Sequence, residues 1–298
     1  MVTVQPITPD FAAEVGDVDL GKPLSPDDLA AVREAFTKFA VLVFPDQGFD
    51  DESQLAFARH FGPLETTVFK LRKENKLRLH ENLADVSNLG NDDKILETND
   101  RLRLYNLGNR LWHTDSSFKR IPAYCSMLHA RSIPPIGGQT EFADLRAAYD
   151  ALPEETKRRI AGLVAEHSLM TSRAKLGFTD FDENERKAFD PVPQVVARRL
   201  PDSGRMSLYL ASHAGAIRGM PQAEAEALLK ELIEHATQRQ FVYSHRWRVK
   251  DLVIWDDRCT MHRGMEFDDQ RYKRDMRRAT VSDVAPTCEQ MGLAVAAE

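Results

Sequence analysis

The chain has 298 residues, 42% hydrophobic, 29% charged and 8% aromatic, which is enough apolar mass to bury a substantial core and excludes disordered, collagen-like and disulfide-scaffold classes. A formal net charge of −6 gives no footprint for nucleic acid or acidic membranes, and no such partner is expected. The longest apolar run, Phe39 to Phe44, stops at Pro45, far short of the ~20 residues a bilayer span requires.

The amino-terminal stretch Met1 to Val15 carries Asp10 and Glu14 and lacks the basic start and apolar core of a signal peptide, so export is not expected. Ser25-Pro26-Asp27-Asp28 reads as a helix start: a capping hydroxyl, then proline and acids in the first turn. Leu29, Val32, Phe36 and Phe39 supply its apolar stripe. A short buried strand, Val41 to Phe44, follows. A second helix is predicted over Asp51 to Phe61, stopped by Gly62-Pro63. From Lys70 to Arg103 the chain turns polar and loses its periodicity, which reads as a long surface excursion of lid type.

After the turn signal Pro134-Pro135-Ile136-Gly137-Gly138, a helix interrupted at Pro153 is expected over Asp144 to Gly162. Thr171 to Asp190 is a second charged insertion. Ala225, Leu228, Leu229, Leu232 and Ile233 mark an amphipathic helix over Gln222 to Gln238. The period then changes from 3.6 to 2, and Phe241 to Tyr243, Leu252 to Trp255 and Arg277 to Val281 read as strands. With no repeat and no proline-rich linker, the expectation is one β-rich α+β domain over 1–298. Three cysteines, Cys125, Cys259 and Cys288, form no CxxC pair and fit a reducing cytoplasm.

Dinucleotide, P-loop, α/β-hydrolase and zincin signatures are missing from the sequence. What remains is Trp112-His113-Thr114-Asp115 and, far downstream, Trp255 to Arg263 with His262. On a strand, positions i and i+2 share a face, so His113 and Asp115 could offer one ion an imidazole nitrogen and a carboxylate oxygen. His262 could complete a two-histidine, one-carboxylate face if its strand folds back beside the first. The same spacing equally fits a buried histidine bonded locally, with Asp115 capping the serines after it. Arg274, Met276, Arg278 and Thr280 would share one strand face, placing two guanidiniums ~13 Å apart at ~3.3 Å per residue. Such a face could hold two different carboxylates, or be a basic edge that resists strand pairing.

Together, Val41 to Phe44, Phe57 to Glu65, Leu111 to Phe118, Gly137 to Phe142, Arg146 to Pro153 and Trp255 to Gly264 carry a specific resemblance. The chain resembles the taurine dioxygenase family of Fe(II)- and 2-oxoglutarate-dependent dioxygenases, and within it the 2,4-dichlorophenoxyacetate dioxygenase branch. The resemblance implies a double-stranded β-helix, or jelly roll, with packed helices and lid-like insertions. It makes His113, Asp115 and His262 the catalytic iron ligands, and gives Thr140 and Arg274 the distal carboxylate of 2-oxoglutarate. Arg278 is implied to face the anionic group of a small-molecule substrate, with Asn109 and His213 near its pocket. Lys70 and Lys94 align with lysines of the branch, although from this sequence alone they read as solvated charges.

Three departures stand out. The interval from His262 to Arg274 is one residue longer than the branch pattern, making Arg271 or Lys273 rivals for the co-substrate role. Asp257 stands where asparagine is usual, and Leu200, which with His213 would frame an apolar pocket for the substrate ring, stands where a histidine precedes the turn Pro201 to Arg205. The implied reaction uses Fe(II), 2-oxoglutarate and O2 to hydroxylate an aryloxyacetate beside its ether oxygen. A taurine or alkylsulfonate substrate, a metal-dependent hydrolase and a non-catalytic jelly-roll binding protein are the competing readings. A cytoplasmic homo-oligomer is expected.

Overall fold

In the computed structural model, residues 2–72 and 76–294 are described, so part of the Lys70 to Arg103 excursion, 73–75, lies outside the described residues, as do Met1 and 295–298. The first helix is Pro26–Phe39. Its Ser25 cap accepts from the backbone N–H of Asp28, and it ends where Ala40 adopts a left-handed φ of 61°. That turn feeds directly into the strand Val41–Phe44, whose four side chains are all buried. The second helix closes earlier than expected, at Ala58. The N–H groups of His60 and Phe61 reach back only three residues, tightening the last turn before Gly62.

The large sheet orders its strands Thr3–Pro6, Ala12–Gly16, Val41–Phe44, Leu252–Asp256, Ala123–Ser132, Asp275–Ser282 and Leu83–Asp85. Its two faces follow from period-2 alternation. Leu42, Phe44, Met127, Leu252 and Ile254 point to the side covered by the first two helices, into a cluster with Phe36, Phe39 and Leu55. Val41, Val43, Leu128, Val253, Trp255 and Met276 point the other way, where they meet Phe142. Phe142 belongs to a three-stranded antiparallel sheet in the order Val242–His245, Thr140–Asp144, Thr260–Gly264. The two sheets therefore enclose an apolar layer. Each fully buried leucine, valine or phenylalanine there stabilises the fold by about 1.5–3 kcal/mol.

Two smaller sheets and the helix Gln222–Ala236 build a third cluster through Leu228, Leu229 and Leu232. The helix interrupted at Pro153 is found as Leu145–Asp150 and Glu154–Ile160. The strand expected at Phe241 begins one residue later, because Phe241 closes a short helical turn and is buried in the third cluster.

The two charged excursions are more ordered than their composition suggests. The first contributes the strand Leu83–Asp85, paired with Asp275–Ser282, and the helix Arg101–Asn106. The second contains the helices Leu169–Ala174 and Glu183–Ala188. Arg101 fastens one to the other, bonding Asp180 at 2.8 Å and Glu185 at 3.0 Å. No helix among the described residues is long and apolar enough to cross a membrane.

Candidate active site

His113 does not lie on a strand, as the i, i+2 argument assumed. It forms a single antiparallel bridge with His262, and Asp115 opens the turn that follows. The bridge is reciprocal: each backbone N–H donates to the other's carbonyl, at 3.0 and 2.8 Å. Two hydrogen bonds thus bring the distant histidines opposite one another, with ring centroids 4.2 Å apart. Aromatic packing holds the second ring, which lies 4.7 Å from Trp255 and 6.0 Å from Phe142.

The donor atoms converge. Asp115 Oδ1 is 3.8 Å from His113 Nε2, and Asp115 Oδ2 is 3.7 Å from His262 Nε2. These separations exceed a hydrogen bond, yet two metal–ligand bonds of about 2.0–2.2 Å each can span them. One ligand atom from each of the three residues lies within 4.8 Å of the others, and Asp115 Oδ2 is buried with no hydrogen-bond partner. His113 Nδ1 donates to the Leu111 carbonyl at 2.7 Å, which leaves the Nε2 lone pair facing inward. Burial pushes both imidazoles below their ordinary pKa, keeping them neutral and able to ligate. Burial alone would raise Asp115, but the Arg278 guanidinium, first among the groups opposing it, helps to hold the carboxyl below its ordinary value. The donor set fits a divalent ion of the iron(II) type, with positions open beyond the three protein ligands.

Asp257, where asparagine was expected, sits behind this centre. Its Oδ1 accepts from Trp255 Nε1 at 3.0 Å and from the Asp115 backbone N–H at 3.1 Å. Burial, and then the charge of Asp115, raise its carboxyl well above the usual range. A neutral acid therefore takes the acceptor role an amide carbonyl would have.

Two recesses meet at the three ligands. One is lined by Thr140, His262, Phe267 and Arg274. The Arg274 guanidinium is buried without an acidic partner among the described residues, touching only the Gly138 and Val86 carbonyls at 3.4 Å. Burial pushes its pKa down to about 10. Gly138 is required beside it: at φ +71°, an added Cβ would come within 2.9 Å of Pro134 and 3.5 Å of Arg274 Nε. Trp247 Nε1 donates to Thr140 Oγ1 at 3.0 Å, which frees the threonine proton. The rivals face elsewhere. Arg271 stacks on Tyr272 at the surface, and Lys273 donates to the Asp93 carbonyl.

The other recess is lined by Phe69, Tyr105, Phe118, Arg173, His213 and Arg278 among others, and Asn109 and Arg278 border both. Arg278 donates to Asp115 Oδ1. Met276, Arg278 and Thr280 do share the inward face of their strand.

Three expected site residues are elsewhere. Lys70 is an exposed partner of Glu81, and Lys94 pairs with Asp92 at 3.2 Å with its side chain 82% exposed. Both are solvated, because short-range ion pairs on the excursion's outer surface satisfy them. Leu200 packs into the apolar layer with Phe142 and Trp255, outside both linings. The sequence reading missed Phe69, Tyr105, Phe118 and Arg173. The aromatic residues lie outside every helix and strand read from the sequence, and no apolar period marks a buried arginine.

Such a centre, two neutral histidines and a carboxylate between β-sheets beside a recess with an arginine that has no acidic partner among the described residues, defines a mononuclear non-haem metalloprotein of the two-histidine, one-carboxylate class. Residues 3–280 match the family described as "Taurine catabolism dioxygenase TauD, TfdA family", and the chain belongs to it. The Alpha-ketoglutarate-dependent 2,4-dichlorophenoxyacetate dioxygenase of Cupriavidus pinatubonensis is 45% identical over 284 residues, covering 95% of this chain and 99% of that protein. The (S)-phenoxypropionate/alpha-ketoglutarate-dioxygenase of Sphingobium herbicidovorans is 38% identical, covering 89% and 90%. The crystal structure of AAD-2 in complex with Mn(II) and N-oxalylglycine superposes with a TM-score of 0.88 at 49% identity, covering 96% of this chain and 98% of that one.

Proposed function

We propose that the protein is an Fe(II)- and 2-oxoglutarate-dependent dioxygenase that hydroxylates an aryloxyacetate on the carbon beside its ether oxygen. One oxygen atom enters that C–H bond and the other enters succinate, as 2-oxoglutarate loses CO2. The hydroxylated product is a hemiacetal that collapses to a phenol and glyoxylate. The observation that carries this reading is the pair of recesses meeting at one three-ligand centre, each bordered by a buried arginine.

His113, Asp115 and His262 would hold the iron, which would supply open coordination sites and the redox chemistry that lets dioxygen act as the oxidant. Arg274 and Thr140 would bind the distal carboxylate of 2-oxoglutarate, a charged fork and a free hydroxyl proton meeting two oxygens. Phe69, Tyr105 and Phe118 offer an aromatic wall to the substrate ring, and Arg278 offers its carboxylate a cation. That wall and the relatives named for aryloxy substrates favour an aryloxyacetate over taurine. A zinc hydrolase would leave Arg274 without a role.

The proposal includes a jelly-roll architecture, supported by two mainly antiparallel sheets packed over the Phe142 and Trp255 layer. It also treats 1–298 as one catalytic domain that assembles as a homo-oligomer. A cytoplasmic location is supported by the three buried free thiols.

The test is anaerobic loading with Fe(II) and 2-oxoglutarate, then oxygen with phenoxyacetate, 2,4-dichlorophenoxyacetate or taurine. Phenol should appear in step with succinate for the aryloxyacetates. Sulfite coupled to succinate from taurine, with no phenol from either acid, overturns the substrate and leaves the oxygenase.

A further inference from the structure

Three cations line the aromatic recess: Lys119, Arg173 and Arg278. Two are already paired. Lys119 Nζ bonds Glu65 Oε2 at 2.5 Å, and Arg278 donates to Asp115. Arg173 has no acidic partner among the described residues, although it is only 4% exposed. Its Nη1 donates to Ser172 Oγ at 3.1 Å, its Cζ lies over the Tyr105 ring at 4.6 Å from the centroid, and its Nε is buried without a partner among the described residues.

The surroundings are shaped to admit this guanidinium. Gly108, in the short turn just before the ligand segment, lies against it so closely that an added Cβ would fall within 2.2 Å of Arg173 Nη1. Ser172 completes the arrangement. Its one hydroxyl proton goes to the Leu169 carbonyl at 2.9 Å, so Oγ accepts from both Arg173 Nη1 and His213 Nδ1, the latter at 2.9 Å. His213 Nδ1 is thereby committed to Ser172 and not to a substrate anion.

An uncompensated buried charge is costly unless something of opposite sign joins it. We propose that Arg173 is a second anchor for the carboxylate of the substrate, acting with Arg278 across the recess while the Tyr105 ring backs its guanidinium. This deepens the reading of the protein as an aryloxyacetate oxygenase and rests on it. Arg173 selects anionic over neutral substrates, and Ser172 and Gly108 position it.

The test compares phenoxyacetate with its neutral isostere phenoxyacetamide, on protein loaded with Mn(II) and N-oxalylglycine, by titration calorimetry. Steady-state kcat and KM with the iron enzyme provide a second readout. Removing one charge-assisted partner predicts roughly ten- to hundredfold weaker phenoxyacetate binding for Arg173→Gln, seen in KM more than kcat. Phenoxyacetamide binding should stay within about twofold, and Arg173→Lys should restore part of the loss. Equal loss for both ligands, or none for either, overturns the anchor. If the wild-type protein binds neither compound, the aryloxyacetate reading falls and takes the anchor with it. Binding by the wild type that Arg173→Gln leaves intact overturns the anchor alone. Succinate formed from 2-oxoglutarate without substrate reports that each variant is folded.

Discussion

Replacing Arg274 with alanine tests the division of labour between the two recesses. The guanidinium is buried, has no acid beside it among the described residues, and makes only two long contacts to carbonyls, so folding gains little from it. Burial has already lowered its pKa to about 10, a cost that an incoming carboxylate offsets. A charge-assisted bond to such a partner contributes about 1.5–3 kcal/mol, so affinity for 2-oxoglutarate should fall roughly ten- to hundredfold. The measurement is calorimetric titration of 2-oxoglutarate into Fe(II)-loaded protein under nitrogen, with metal affinity and thermal midpoint recorded in parallel. Both of those should hold, since Arg274 touches none of the three ligands. If Arg274→Ala leaves 2-oxoglutarate affinity unchanged while Arg271→Ala or Lys273→Ala weakens it, the assignment is wrong. The extra residue before Arg274 would then have moved the co-substrate anchor upstream.

Substituting His113, Asp115 or His262 by alanine should each reduce Fe(II) affinity at least tenfold, and loading titrations followed by equilibrium dialysis would show it; retained affinity in any one variant removes that residue from the ligand set. His129 carries a pH prediction away from the site. Burial, then Arg131, pushes its pKa down to about 4, and its Nε2 donates to the Gln47 carbonyl at 2.7 Å. The unfolded chain takes up this proton near pH 6.5 while the folded chain refuses it until about pH 4, so stability is lost as pH falls through that window, by roughly 3 kcal/mol. Urea unfolding at pH 7 and pH 4.5 should show a smaller pH-dependent loss for His129→Gln than for the wild type; an unchanged loss would falsify the attribution.

Where alternation or a cap dictates local structure, the sequence was sufficient. Ser25, Pro26 and the two acids after them start a helix wherever they occur, because they satisfy free N–H groups and match the helix dipole. Leu252 to Trp255 and Val41 to Phe44 alternate between the two faces of the large sheet as period 2 requires. The motifs around His113, His262 and Arg274 were legible as a family resemblance, whereas their spacing alone equally fitted a locally bonded histidine and a basic edge strand. What the sequence could not determine depends on neighbours far along the chain. Two backbone hydrogen bonds, and no strand at His113, set the histidines face to face. Ion pairing with Glu81 and Asp92 left Lys70 and Lys94 in solvent, and packing against Phe142 took Leu200 out of the recess. Arg173 shows the reason most plainly: burial with no acidic partner among the described residues is a property of everything around a side chain, and local sequence carries no record of it.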